Sequence, residues 1–166
     1  RRDTWELQEW NAFKSRLPKW LRLQQGQKQE DDRWDCFVAY QMLFFLANNG
    51  MRVGEVVKIR RRDIKFYERE LGDVERSGKR VFTFKQLCCL VQVDKSTKTG
   101  AREVNSMGGK FAMAVYEKAP CKKKTDFLFQ HLVGTAWTTK QFWKKFSNML
   151  TYTDEEKRLG KHLVPY

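Results

Sequence analysis

The chain has 166 residues, of which 41% are hydrophobic, enough for one domain with a buried core. Its four cysteines lack Cys-x-x-Cys spacing and only two histidines accompany them, which argues against a zinc site or a secreted disulfide framework. The formal net charge is +13, and after residue 50 there are 25 Lys/Arg against 13 Asp/Glu, so nucleic acid is the expected partner; a basic, merely solvated surface is the alternative.

The first half of the chain predicts three helices. A start resembling a capping box at Asp3-Thr4-Trp5-Glu6 should open the first helix, which Pro18 should bend or end. The polar residues 24–32 predict a connector. A second helix is predicted from about Asp32 to Asn49, stopped by the Asn-Asn-Gly sequence there, and a shorter third helix over roughly Val53 to Arg61.

The second half predicts a small sheet followed by two helices. Three runs rich in β-branched and aromatic residues predict strands: 81–84, 88–93 and 102–106. Helical spacing resumes at about Lys110 to Lys118, and Thr138 or Thr139 should cap a last helix that carries Phe142 and Leu150. This order predicts an α+β fold that is mostly helical, with a small three-stranded antiparallel sheet, and not a doubly wound parallel sheet.

A basic helix corner is the first candidate for chemistry. Gly50-Met51-Arg52-Val53-Gly54-Glu55 places Arg52 directly after a helix stop, with Glu55 three residues later. The planar guanidinium suits bidentate binding of a phosphate, and Glu55 would hold either the neighbouring backbone or the guanidinium. An ordinary helix corner with a solvated arginine fits the same pattern.

A predicted hairpin carries the second candidate. Ser96-Thr97-Lys98-Thr99-Gly100 includes its turn, and Arg102 begins the returning strand. Such a hairpin can enter a DNA groove, where an ammonium group can protonate a leaving alkoxide or bind its phosphate. Taken alone, a lysine in a turn is usually only part of a solvated turn.

In combination, these two motifs resemble those of the tyrosine recombinases, or phage-type integrases. The catalytic domains of that family have an arginine in a Gly-x-Arg-x-x-Glu helix corner and, further along the chain, a lysine in a β-hairpin of the Ser-Lys-Thr-Gly type. The order of the motifs and the strands between them also match. The resemblance extends from about residue 4 to the C-terminus and implies a fold like the tyrosine-recombinase catalytic domain.

The resemblance implies a phosphoryl transfer that needs no metal and no cofactor. A tyrosine attacks a DNA phosphodiester, forms a 3′-phosphotyrosyl enzyme and releases a 5′-hydroxyl. Arg52 would match the family's first phosphate-binding arginine, Lys98 would serve the leaving 5′-oxygen, and Glu55 would support the arginine. Thr97, Thr99 and Arg102 would lie beside the DNA backbone. The basic residues that flank the Arg52 helix are further candidates to line the duplex, although such a run is also typical of a solvated face: Lys58, Arg60, Arg61, Arg62 and Lys65.

The sequence departs from the family at its second box, a His-x-x-Arg pattern. Neither His131 nor His162 has an arginine three residues later, and nothing marks Tyr116, Tyr152 or Tyr166 as the nucleophile. We therefore expect residues 1–166 to be a partial, C-terminally truncated catalytic domain that does not cleave DNA by itself.

The expected partner is double-stranded DNA and not a membrane. The full-length enzyme would assemble as an oligomer on DNA, with this fragment monomeric, in the cytoplasm and at the nucleoid of a bacterial or phage-infected host. A non-catalytic nucleic-acid-binding module on a recombinase-like scaffold is the alternative, and an interaction domain without nucleic acid is a third hypothesis. The central expectation is that the guanidinium of Arg52 and the ammonium of Lys98 converge on one phosphate-sized spot.

Overall fold

A computed structural model describes residues 6–27, 29–94 and 100–153. Within these ranges the fold is α+β, with five α-helices and one three-stranded antiparallel sheet in the order β1-β2-β3. The helices are α1 (Leu7–Gln27), α2 (Glu30–Ala47), α3 (Val53–Val56), α4 (Gly109–Lys118) and α5 (Thr139–Thr153). The strands are β1 (Ile64–Arg76), β2 (Lys79–Val93) and β3 (Arg102–Ser106), and a 3-10 turn, Arg61–Asp63, precedes β1. The coarse fold class predicted from the sequence is confirmed.

The first two helices reach further into the polar segment between them than the sequence predicted. Pro18 lies inside α1 without ending it, and the predicted connector at 24–32 is wrong, because α1 continues to Gln27 and α2 already begins at Glu30. Glutamines are good helix formers, and acidic residues favour the first turn of a helix, so both helices extend into this polar segment. α1 contacts both α2 and α5 and buries Phe13, Leu17 and Trp20.

The turn after α2 sets the direction of the next segment. Gly50 has φ +66°, a left-handed conformation that glycine adopts without steric cost, and this confirms the predicted helix stop. α3 then ends at Val56, so the prediction that it would reach Arg61 is wrong. The physical reason is a later segment: Arg61 N–H donates to the Asp126 carbonyl at 2.9 Å, and Leu128 N–H donates to the Ile59 carbonyl at 2.8 Å.

β1 and β2 form a long ribbon of which β3 covers only one end. β2 merges the two predicted strands at 81–84 and 88–93, and the sequence had given no separate prediction for β1. The ribbon turns at Ser77 and Gly78, with φ of 56° and 72°, as a two-residue hairpin turn requires. β3 has the predicted bounds and pairs only with residues 89–93 of β2, so the rest of the ribbon is two-stranded.

Two predicted helices follow the sheet with nearly the predicted bounds. α4 begins against β2, where a Cβ on Gly109 would lie 2.6 Å from the Leu87 carbonyl oxygen and the Cys88 carbonyl carbon, so the position has room only for glycine. At the start of α5, the Thr138 hydroxyl accepts a hydrogen bond from Gln141 N–H at 3.2 Å, as the predicted cap should. None of the described helices is long and apolar enough to span a bilayer.

Candidate nucleic-acid interface

Glu55 organises the helix corner through the backbone of Arg52. One carboxylate oxygen of Glu55 accepts a hydrogen bond from Arg52 N–H at 2.8 Å, which satisfies an amide at the start of α3. Of the two roles that the sequence suggested for Glu55, the structure shows the one toward the neighbouring backbone. The Glu55 side chain is buried, whereas Arg52 is exposed.

The guanidinium that Glu55 holds belongs to Arg102. Arg102 Nη1 lies 3.0 Å from Glu55 Oε1, and Arg102 Nη2 lies 3.0 Å from Oε2, so the two side chains form a bidentate pair. The Glu55 side chain is 4% exposed and that of Arg102 33% exposed, so the pair is largely screened from water. Since Arg102 is the first residue of β3, the pair fastens the base of the β2–β3 hairpin to the Arg52 corner.

A cavity of about 560 Å³ opens beside the corner. Arg52 and Lys58 contribute cationic side chains to its lining, and Phe127 and Trp137 come from the segment before α5. The start of α5, at Thr139, also lines it, so the partial positive charge of that helix terminus adds to the charge of the two cations around the cavity. The arrangement can bind an anion next to an apolar surface.

The flanking arginines lie in three different environments. Arg60 is half-buried, with its guanidinium 4.4 Å from the centre of the Phe127 ring and a hydrogen bond to the Thr125 carbonyl. Arg62 is 58% exposed and pairs with Asp63 at 3.6 Å. Arg61 is buried, donates to the Tyr116 carbonyl at 2.7 Å and lies 3.6 Å from the Tyr116 ring. The expectation that Arg61 lines a duplex is therefore wrong, while Lys58 and Lys65 are exposed as expected.

The predicted hairpin turn lies outside the described residues. This applies to Lys98, Thr97 and Thr99, for which the sequence predicts contact with DNA. The structure does describe both flanks: Val93 pairs with Arg102 across the hairpin, and Gly100 has φ +77°. The flank that carries Arg102 therefore meets the Arg52 corner through Glu55.

Sequence reasoning missed the segment that completes the cavity. His131 holds this segment: its Nδ1 lies 2.8 Å from the Asp35 carboxylate, and its ring stacks on Trp137 with centroids 4.8 Å apart. The predicted cap at Thr138 was the only local signal that this stretch bears on the site. In the described part of the chain, no group of three or more His, Cys, Asp or Glu residues is arranged to hold a metal ion.

The comparisons with known proteins add no family assignment to this geometry. No protein-family model matches the chain, and no curated protein matches it.

Proposed function

We propose that this chain is part of the catalytic domain of a tyrosine recombinase and acts in site-specific DNA recombination through a phosphotyrosyl intermediate. Its contribution is the Arg52 corner together with the hairpin of Lys98. The observation that carries the proposal is the Glu55 joint, in which one carboxylate hydrogen-bonds the Arg52 backbone at 2.8 Å and pairs with Arg102 at 3.0 Å.

The Glu55 joint matters because it connects the Arg52 corner to Arg102 at the base of the β2–β3 hairpin. Glu55 and Arg102 are 47 residues apart in sequence, yet their side chains are in direct contact. Lys98 precedes Arg102 by four residues, so chain length alone keeps the two Cα atoms within about 15 Å of each other. A lysine side chain can bridge much of that distance, which makes a shared phosphate site for Arg52 and Lys98 feasible.

The proposed chemistry divides between the two cations. The Arg52 guanidinium binds the non-bridging oxygens of the scissile phosphate and neutralises the charge that grows on them as a tyrosine oxygen attacks phosphorus. The bond from phosphorus to the 5′-oxygen breaks, and the Lys98 ammonium gives a proton to that leaving oxygen. The product is a 3′-phosphotyrosyl bond and a free 5′-hydroxyl, and the reversal of these steps on another strand rejoins the DNA.

The electrostatic setting supports double-stranded DNA as the partner. Arg52 and Lys58 line the cavity, and Arg62 and Lys65 are exposed nearby in sequence. Such cations displace counterions from a duplex, so binding should weaken as salt rises. The buried Glu55 is already neutralised by Arg102, which limits the repulsion that a carboxylate would exert on a phosphate.

Titration of a fluorescent duplex with the 166-residue chain at several salt concentrations tests the binding. We expect salt-sensitive binding, and Arg52→Ala should weaken it about five- to tenfold and lower the slope of log affinity against log salt by about 1, because one phosphate contact is lost. Arg69→Ala is the matched control, since Arg69 is exposed on the two-stranded part of the ribbon. Equal losses for the two variants, or no binding to duplex at low salt, would contradict the proposal.

A further inference from the structure

A second cavity, of about 350 Å³, lies where α1, α2, β2 and α4 meet. It shares no lining residue with the Arg52 cavity. Its cationic side chains are Lys14 on α1 and Lys110 at the start of α4, and among the described residues no Asp or Glu lines it. A recess whose charges all have one sign concentrates ions of the opposite sign, so this cavity favours an anion.

Each ammonium group of this cavity is placed over an aromatic ring. Lys14 Nζ lies 5.5 Å from the centre of the Trp10 ring, and Lys110 Nζ lies 4.9 Å from that of Phe111. Phe111 also stacks on Phe44, with centroids 5.1 Å apart. The rings therefore support the lysine side chains, and positive charge is what the cavity presents to a ligand. A cation that already rests on a ring loses less side-chain freedom when it binds an anion.

Further hydrogen-bond donors surround the two ammonium groups. Asn48 Nδ2 donates to the Phe44 carbonyl at 2.7 Å, and this bond fixes the amide. Gln86 Nε2 is held in the same way by the Met107 carbonyl at 3.1 Å, and each amide nitrogen has a second hydrogen. α4 begins at Gly109, and the first N–H groups of a helix have no acceptor within the helix. An oxyanion with several acceptor oxygens, such as phosphate, matches this set of donors.

The second cavity lies close to the Arg52 corner along the chain. Asn48 lines the second cavity and Arg52 lines the first, and their separation of four residues keeps the two Cα atoms within about 15 Å of each other. The grooves of B-DNA, about 6 Å wide for the minor groove and about 12 Å for the major, have phosphates along both walls. This separation therefore allows one duplex to supply a phosphate to each cavity.

We infer that the second cavity, with Lys14 and Lys110, binds a backbone phosphate of the same duplex that contacts Arg52. The inference rests on the proposed function and extends the DNA footprint from the Arg52 corner to α1 and α4. A phosphate contact positions the duplex on the protein and reads no sequence, because the backbone is alike in every sequence. Lys14 thereby gives the first helix a role on DNA, although the excess of basic residues lies after residue 50.

Titration of a fluorescent duplex at several salt concentrations compares the wild-type chain with Lys14→Gln/Lys110→Gln, in which glutamine keeps a long side chain without the charge. We expect the double variant to bind about five- to tenfold more weakly, and the slope of log affinity against log salt to fall by about 1, because one phosphate contact is lost. The loss should be the same for duplexes of unrelated sequence. Addition of Arg52→Ala should lower the slope by about 2 in total, since the two cavities bind different phosphates.

Lys118→Gln is the matched control, because Lys118 lies 5.0 Å from the centre of the Phe37 ring and lines neither cavity. The inference is overturned if this control weakens binding as much as the double variant, or if the triple variant has the slope of Arg52→Ala alone. Inorganic phosphate that binds the wild type but not the double variant, with duplex affinity equal in both, identifies free phosphate as the ligand and also overturns it.

The same titrations separate the inference from the recombinase proposal. Weaker binding in the double variant but not in Arg52→Ala supports the second cavity and counts against the Arg52 site. Weaker binding in Arg52→Ala but not in the double variant does the reverse, and a wild-type chain that binds no duplex at low salt rules out both.

Discussion

The two ends of the β1–β2 ribbon consist of the same two strands but differ in burial. The inner end comprises residues 64–67 and 88–93, and the outer end comprises residues 68–87. At the inner end, Cys88, Cys89 and Val91 are buried, β3 adds a third strand, and Glu55 and Arg102 fasten the sheet to α3. At the outer end, Leu71 is 54% exposed and Phe84 is 52% exposed. Among the side chains that the structure describes at the two ends, burial is therefore much greater at the inner end.

Each end also has an ion pair, and the two pairs differ in how far their side chains are exposed to water. Glu55 is 4% exposed in its pair with Arg102, whereas the Lys85–Glu68 pair has side chains 53% and 63% exposed. An exposed pair adds little because water already solvates both ions, but a buried carboxylate depends on its partner for neutralisation. The inner pair should therefore dominate the response to mutation.

The largest effect is expected when Arg102 is replaced by Met. Glu55 then stays buried without its bidentate partner, and the free energy of unfolding should fall by about 2–3 kcal/mol, less than for a wholly buried pair because Arg102 is a third exposed. Urea unfolding followed by circular dichroism measures the loss. The matched change at the outer end, Lys85→Met, should cost less than about 1 kcal/mol; similar losses at both ends would refute the contrast.

A second effect, which depends on pH, is expected at Cys89. Burial raises the pKa of its thiol to about 11, and a hydrogen bond with Ser106 opposes part of that rise. Because this pKa is above the unfolded value of about 8.5, the folded state favours the protonated thiol. That contribution is complete below about pH 8.5 and is lost as the pH rises toward 11.

Urea midpoints measured across that pH range check the effect. The wild-type chain should lose more stability over that range than Cys89→Ala, which has no thiol at this position. Parallel curves for the wild type and Cys89→Ala would mean that Cys89 does not titrate differently in the folded state.

The smallest effect is expected at the outer end of the ribbon. Leu71→Asn should change the free energy of unfolding by no more than about 0.5 kcal/mol, because more than half of this residue is already exposed to water. Val91→Ala, at a fully buried position of the inner end, should cost about 2 kcal/mol by the same assay. A loss for Leu71→Asn that approaches the Val91→Ala value would show that the outer end has a packing partner.

Elements with local signals were predictable from the sequence. The stop at Gly50, the cap at Thr138 and the strand at 102–106 each depend on a few neighbouring residues, and the structure has all three. β1 was not predicted, because the strand-favouring residues Ile64, Phe66 and Tyr67 are followed by the consecutive charged residues 68–70. Its formation depends on pairing with β2, which propensity does not encode.

The residues of the candidate site also fall into two groups: those that a contiguous motif predicts and those that only tertiary contacts bring together. Arg52 and Glu55 were visible because their motif is contiguous, but the contact of Glu55 with Arg102 joins residues 47 positions apart. The same kind of distant contact shortened α3, since residues 59–62 hydrogen-bond the segment 124–128 instead of continuing the helix. Phe127 and Trp137 had no signal at all, because only the folded chain places them beside Arg52.

The two-residue turn at Ser77 and Gly78 is the point at which the chain passes from one half of the described fold to the other. The first half contains α1, α2, α3 and β1, and the second contains β2, β3, α4 and α5. Contacts of α1 with α5 and of α2 with α4 interlock the halves, while the connection itself lies at the far tip of the ribbon. The contacts that hold the two halves together therefore lie along the paired strands and between the helices, far from the point where the chain joins them.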